Sequence, residues 1–306
     1  MSIVGVLGCG AMGKGMIKNL LRNGFEVLVY DVETEAAQSV KMLGATPMTS
    51  IQSVAEKSSY LLTSLPSPHS VEEALIGGNG AVHCMEHGSF ILDMSTTDVD
   101  TTRKIYAKAK SKGVFFFDCP VSGGPDGAQS GELTIMVGGD LDRFEHIELI
   151  LTAIGKEIEY IGETGSGQAV KLCNNMVVAG LVVLLSETFL TGVKAGVPVD
   201  KIAELMQKGS AQNKVLSVFG PNLMYGTHEN VKFLLSHMTK DVNLYLKLAK
   251  QEKVPTFLGS IINQLFEIAN NNGKGGLDTS AVSQVLEKLS NDQIALQSME
   301  PNKEGK

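Results

Sequence analysis

Cysteine is scarce in this chain. Cys9, Cys84, Cys119 and Cys173 are the four in 306 residues, far apart and without a C-x-x-C pair. Such sparse usage argues against a disulfide framework and fits a reducing compartment. Basic residues are outnumbered, 26 Lys and Arg against 33 Asp and Glu, for a net charge of -7. That balance argues against a nucleic-acid partner, whose phosphates favour a basic face. Proline stands at nine and no Gly-X-Y period exists, which excludes collagen and linker readings. Long apolar runs are also missing. The longest, Met176 to Leu185, covers ten residues and is followed by Glu187; it is too short to span a bilayer and reads as a buried helix. A strand pattern begins at Ser2 and leaves no room for a leader, so a cytoplasmic protein is expected.

What the chain does have is apolar mass, 43% hydrophobic against 19% charged residues, enough for about two cored domains. Glycine, with 33 residues, exceeds average usage and is expected in loops. Short apolar runs read as strands: Ile3–Leu7, Phe25–Tyr30, Tyr60–Ser64, Ser89–Asp93, Val114–Phe117 and Thr134–Val137. Helical patterns at Met12–Asn23, Val71–Ile76, Thr101–Lys112 and Leu141–Ile154 separate most of them. This alternation predicts an α/β fold, a Rossmann-type, doubly wound, mostly parallel sheet. Beyond Gly162 the texture turns helical: one long pattern over Gln168–Lys194, then Val199–Lys208, Lys240–Glu252, Leu258–Asn271 and Thr279–Leu289. The expected organisation is a dinucleotide-binding domain over 1–163, an all-helical domain over 164–290 entered by the long helix, and a polar tail over 291–306.

Three segments carry chemistry. Gly8-Cys9-Gly10-Ala11-Met12-Gly13 is a G-x-G-x-x-G between a strand and a helix, where backbone approaches a pyrophosphate at a helix N-terminus. Asp31 ends the next strand 18 residues beyond Gly13; an acid there accepts ribose hydroxyls and repels a 2′-phosphate. No Arg follows it in Val32-Glu33-Thr34-Glu35, so NAD is expected over NADP. The second segment, Asp118 to Gly131, offers the Ser122 hydroxyl and the amides of Gly123 and Gly124, which suit a carboxylate, although it also reads as a flexible connection. The third, Gly162 to Asn175, opens the long helix. There Lys171, Asn174 and Asn175, spaced i, i+3, i+4, share one face, a costly grouping without polar partners.

Taken in order, the Gly8–Leu20 fingerprint, Asp93-Met94-Ser95-Thr96, the Asp118–Gly131 loop, the Gly165–Asn175 segment and Lys240-Asp241 resemble the 3-hydroxyisobutyrate dehydrogenase, or β-hydroxyacid dehydrogenase, family over nearly the whole chain. The resemblance implies that Lys171 is the catalytic acid and that Ser122, Gly123, Gly124 and Asn175 bind the substrate, and Asn174, on the same helix face, is added to that set. Thr96 and Lys240 match cofactor-contacting positions, and Leu65, Pro66 and Phe233 are added to the same set. It further implies a small β-hydroxyacid or semialdehyde substrate and a homodimer or homotetramer. Hydride transfer requires the substrate oxygen to lose or gain a proton, and a lysine serves if its surroundings bring its pKa near working pH.

Neighbouring classes fit less well. The chain resembles 6-phosphogluconate dehydrogenase at its lysine helix, but that family carries a glutamate seven residues after the lysine, where this chain has Val178. Imine reductases usually lack the lysine. A non-catalytic NAD-binding protein would lack Lys171 or the Ser122–Gly124 loop. No metal is expected: His83, Cys84 and His87 have helical ligand spacing without carboxylate partners. Cys119 and Cys173 read as small packing residues, and His237 as structural.

Overall fold

The computed structural model describes residues 2–295. The chain divides into two compact units that meet in sequence at Cys173 and Asn174. In the first, β1 (Ile3–Leu7), α1 (Ala11–Arg22), β2 (Glu26–Tyr30), α2 (Thr34–Lys41), β3 (Thr46–Pro47), α3 (Ile51–Ala55), β4 (Tyr60–Thr63), α4 (Pro68–Ile76), β5 (Phe90–Asp93), α5 (Val99–Ser111) and β6 (Phe115–Asp118) alternate regularly. There follow β7 (Val121–Ser122), α6 (Gly124–Ser130), β8 (Leu133–Gly138), α7 (Glu145–Ile154), β9 (Gly155–Gly162) and the long helix α8 (Ser166–Lys194).

The strand order is β3-β2-β1-β4-β5-β6-β8-β7, with β9 against β8. Strands β1 to β6 are parallel, and β8 runs antiparallel to β6 and β7. Successive side chains on a strand point to opposite faces. Hence Val4, Val6, Leu62, Leu92 and Phe117 join one apolar cluster, while Leu7, Leu61, Ile91 and Phe116 join the other. Both faces are dry, as continuous apolar strands require. Truncating a core side chain such as Phe117 to Ala typically costs about 3–5 kcal/mol.

The second unit continues α8 with α9 (Val199–Lys208), α10 (Lys214–Tyr225), α11 (Leu235–Gln251), α12 (Phe257–Ala269) and α13 (Ser283–Ser290) around a core that includes Phe189, Leu216, Met238 and Phe266.

Several expectations are corrected. Strand β9 is absent from the sequence reading because it alternates, with Lys156, Glu157 and Glu159 exposed, rather than forming an apolar run. Helix α6 occupies a stretch read as loop, its glycines offset by Pro125 in the first turn. Gly220 and Pro221 hide α10 in the same way, and α11 starts five residues earlier than expected, at Leu235. The compact units divide within α8, whose first turn is hydrogen-bonded to Asp118 of the sheet unit. The polar tail begins docked: Ile294 is buried in the helical core and its N–H donates to Glu287 Oε1. Residues 296–306 of that tail lie outside the described residues.

Helix α8 also exceeds the ten-residue run seen in the sequence. By length and composition it could cross a membrane, and 44% of its most apolar window is buried, as in the core helix of many proteins. It is not buried all round: Val170, Val177 and Leu184, seven residues apart, form an exposed row, and Cys173 is exposed beside them rather than packed.

Candidate active site

Strand β1 lies at the reversal of strand order, between β2 and β4, where doubly wound sheets bind ligands at their carboxyl ends. The loop leaving it is shaped by its glycines. Gly8 has φ +98°, and a Cβ there would come within 2.3 Å of the Ser64 carbonyl oxygen. A Cβ on Gly13 would lie 2.0 Å from the Gly8 oxygen. These two are required by the protein's own packing. Gly10 is different, because a Cβ there meets nothing within 4 Å. It caps α1 without a side-chain bond, and the first turn, including Ala11 and Met12, carries no acid. An uncapped helix end with open space beside a glycine fits a dinucleotide pyrophosphate.

Asp31 follows β2. Its Oδ2 accepts the Cys9 N–H at 2.6 Å and its Oδ1 accepts the Glu33 N–H at 2.9 Å. The carboxylate is thereby fixed, and each oxygen keeps a lone pair for a ribose hydroxyl. Burial, then the Asp31 charge, pushes the Cys9 thiol up to about 12, so it stays neutral.

The ends of β4 and β5 are joined by Asp93, which is buried. Its Oδ1 accepts from Thr63 Oγ1 at 2.7 Å and from the Ser95 N–H at 3.0 Å, while Oδ2 accepts from Thr97 Oγ1 at 2.9 Å. Burial raises its pKa against these bonds. Gln168 on α8 takes the other side, accepting the Thr97 N–H at 3.0 Å and donating to the Ser95 carbonyl at 2.9 Å. Thr96 thus sits half-exposed between two pinned neighbours. Leu65 donates its N–H to Ser95 Oγ, which places Leu65 and the exposed Pro66 beside the same turn.

Ser122 ends β7 and is half-buried; Gly123 and Gly124 follow with φ +128° and +63°, values that L side chains rarely adopt. Helix α6 then packs on α1, where a Cβ on Gly15 would strike the Ala128 backbone at 2.6 Å and Asn19 Nδ2 donates to the Ala128 carbonyl at 2.8 Å. The serine–glycine turn is therefore tied to the helix that starts at the glycine loop.

On α8, Lys171 is 7% exposed and Asn175, one turn on, is 4% exposed. Asn174 is half-buried and donates to Asn175 Oδ1 at 3.1 Å. In the helical unit Asn175 Nδ2 donates to Asp241 Oδ2 at 2.6 Å, and Lys240 Nζ lies 3.0 Å from Asp241 Oδ1. One buried carboxylate thus joins Asn175 to Lys240. Phe233 is half-buried, stacked edge-on to His237 at 6.0 Å, and its N–H donates to Asp278. Burial, then the Lys240 charge, lowers the His237 pKa. Cys119 is buried with its thiol pKa raised well above normal, a packing residue.

The structure thus gathers Gly8 to Gly13, Asp31, Leu65, Pro66 and Thr96 at the ends of β1, β2, β4 and β5. Lys171 and Asn175 share a helix turn, and Lys240 joins Asn175 through Asp241. Sequence reasoning missed Asp93, Asp118, Gln168 and Asn19 as anchors. The signal for two of them was present, since Asp93 and Asp118 each end a strand and open a motif, three residues before Thr96 and four before Ser122.

Residues 3–162 match the NAD-binding domain of 6-phosphogluconate dehydrogenase, and residues 165–286 match the NAD-binding domain of NADP-dependent 3-hydroxyisobutyrate dehydrogenase. The chain is 35% identical to 2-(hydroxymethyl)glutarate dehydrogenase of Eubacterium barkeri, over 94% of this chain and 95% of that one. It is 32% identical to mouse mitochondrial 3-hydroxyisobutyrate dehydrogenase, over 92% and 86%. The chain belongs to the 3-hydroxyisobutyrate dehydrogenase family. Among solved structures it resembles the 3-hydroxyisobutyrate dehydrogenase of Salmonella typhimurium with a TM-score of 0.85 at 25% identity, covering 93% of this chain and 100% of that one. An imine reductase from Pseudomonas sp., at 17% identity and TM-score 0.61 over 93% and 99% of the chains, shares the fold alone. The family member described here is an oxidoreductase built on a nicotinamide-dinucleotide-binding domain.

Proposed function

We propose that this chain is an NAD-dependent dehydrogenase interconverting a small β-hydroxycarboxylic acid and its semialdehyde, with Lys171 as the proton donor and acceptor. The observation that carries the reading is a lysine buried to 7% exposure on the same helix turn as Asn175, in a chain that also keeps the Ser122–Gly124 turn. A buried cation needs a function or partners to offset its desolvation. When bound, the nicotinamide dinucleotide exchanges hydride with the carbon bearing the substrate oxygen. Lys171 takes the proton from that oxygen on oxidation and returns it on reduction. Ser122 Oγ and the Gly123 and Gly124 amides hold the carboxylate. Asn175, its amide fixed by Asp241, orients the substrate oxygen or the lysine. Asp31 favours NAD, because a fixed anion attracts ribose hydroxyls and repels a 2′-phosphate.

The substituent is a matter of few contacts, and one methylene or hydroxyl changes selectivity by only about 1–3 kcal/mol. The relatives' names put 3-hydroxyisobutyrate and 2-(hydroxymethyl)glutarate on the panel, and glycerate tests the alternative of a tartronate semialdehyde reductase. Steady-state kinetics over this panel should show at least one substrate with higher kcat/KM for NAD than for NADP. Lys171→Ala should lower kcat by about 1,000-fold with NADH binding within twofold of normal. A near-normal kcat in that variant would overturn the assignment, and no turnover of any β-hydroxyacid by the wild-type protein would favour a non-catalytic NAD-binding protein.

The helical unit supports a homo-oligomer. On α12, Phe257, Leu258 and Ile261 are 82%, 75% and 60% exposed, with Ile268 exposed further along the helix and Val254 exposed three residues ahead of it. Monomers rarely leave such a contiguous apolar face in water. Light scattering after size exclusion should give a dimer or tetramer, and Leu258→Glu should shift it toward monomer; a wild-type monomer at micromolar concentration counts against the assembly.

A further inference from the structure

Helix α8 begins without a cap of its own. Gly165, directly ahead of Ser166, has φ +96° and no side chain with which to accept the first free amides. Asp118 accepts them from 47 residues away: its Oδ1 takes the Gly165 N–H at 2.8 Å and its Oδ2 takes the Gln168 N–H at 2.9 Å. Both oxygens of a fully buried carboxylate are thus committed to one helix end, an arrangement stabilised by the helix dipole. The backbone is shaped to admit it. A Cβ on Gly138 would come within 2.6 Å of Asp118 Oδ1, and a Cβ on Gly167 within 2.9 Å of Oδ2.

Asp118 ends β6, four residues before Ser122, and Gln168 precedes Lys171 by three. We propose that Asp118 is a positioning residue that holds the Lys171 helix in register with the Ser122–Gly124 turn. The proposal rests on the reading of Lys171 as the proton-transfer group. The ionised carboxylate accepts strongly at both oxygens; protonation turns one of them into a hydroxyl, a weaker acceptor for the N–H it faces. Burial pushes the Asp118 pKa up to about 6, against the pull of the Gly165 and Gln168 amides, and the charge of Asp93 across the β5–β6 register adds to it. Other ionisable groups near this end include the Cys119 thiol next along the strand, kept neutral by burial, and Arg103 of α5 beside Gly165, with Glu163 and Lys171 following along the chain.

Asp118→Asn keeps the shape and sets an amide N–H₂ against one helix N–H. In the full-length protein with saturating cofactor, wild-type kcat should rise through about pH 6. The variant should lose this acid limb and about 10- to 100-fold of kcat at pH 7.5, with NADH affinity by fluorescence titration within twofold of wild type. A merely structural role would lower melting temperature and NADH affinity together and leave the limb in place. A variant kcat within twofold of wild type, or a retained limb, overturns the proposal. If Lys171→Ala itself keeps near-normal kcat, the parent reading fails; if it is inactive while Asp118→Asn behaves as wild type, only this inference fails. Should the variant not fold, the wild-type protein decides: kcat rising through about pH 6 with NADH affinity unchanged over the same range is the expected result, and a kcat that stays flat between pH 5 and pH 7 overturns the proposal.

Discussion

In the sheet unit, Asp31 and Asp118 turn both oxygens toward backbone amides, those of Cys9 and Glu33 and of Gly165 and Gln168, and Asp93 accepts the Ser95 amide beside the Thr63 and Thr97 hydroxyls. In the helical unit, Asn174, Asn175, Asp241 and Lys240 are held by one another's side chains. The difference follows from secondary structure. Strand ends and helix starts leave free N–H groups that a nearby acid can satisfy, whereas the interior of a helix has none to offer. The sheet unit therefore fixes its residues through the main chain and tolerates little change in glycine or acid. The helical unit fixes them through pairs that substitution can remove one partner at a time.

The largest break expected in this contrast is Gly13→Ala. The new Cβ would sit 2.0 Å from a backbone oxygen, so β1 and α1 must separate. Overpacking of this kind costs about 3 kcal/mol, and NADH binding should vanish with it; a variant that melts and binds as wild type would show that the loop yields. In the helical unit, Asp241→Ala should cost less, about 2 kcal/mol, because Lys240 keeps 23% side-chain exposure and water can reach it. Denaturant titration gives the stability, and kinetics should show kcat falling about tenfold as Asn175 loses its anchor. A double variant with Asn175→Ala adding little to either effect would place the two residues in one network.

The same contrast explains what could be read without coordinates. The glycine loop and Asp31 were legible because their constraint is local, a turn and a strand end at fixed spacing. Lys171 and Asn175 were legible as a polar pair on an apolar helix. The Asp118 cap and the Asn175–Asp241 bond span 47 and 66 residues, and no local pattern announces them. Strand β9 escaped because an edge strand carries charges, and α6 and α10 because glycine and proline suggest loops until packing overrides them.

pH should separate the two units by sign. Asp93 and Asp118 have raised pKa values, so the folded state holds protons that the unfolded chain releases first. The sheet unit's contribution from Asp118 falls as pH rises from about 4 to about 6, by about 1 kcal/mol between pH 5 and pH 7. His228 and His237 are lowered, mainly by burial, so the helical unit's contribution is complete above the ordinary histidine pKa and falls as pH drops below it. Region-resolved hydrogen exchange, corrected for intrinsic rates, should show sheet-unit protection rising and helical-unit protection falling from pH 7 to pH 5. Parallel changes in both units would refute the assignment of these groups as the dominant titrating residues.

The smallest expected change in stability is the most informative about ligand. Gly10→Ala introduces a side chain at φ −65° and ψ −172°, a conformation alanine adopts freely, into space empty for 4 Å. The loss of glycine's freedom in the unfolded chain favours the variant by about 0.4–1 kcal/mol, and alanine's poorer performance at a helix N-cap opposes it by a similar amount. The melting temperature should hardly move. If the space beside Gly10 serves the protein alone, NADH affinity should hardly move either. If it is kept open for a pyrophosphate drawn against the α1 amides, the added methyl stands in its path and the Kd for NADH should rise at least tenfold. That single residue thus separates a glycine required by the fold, Gly13, from one required by what the fold binds.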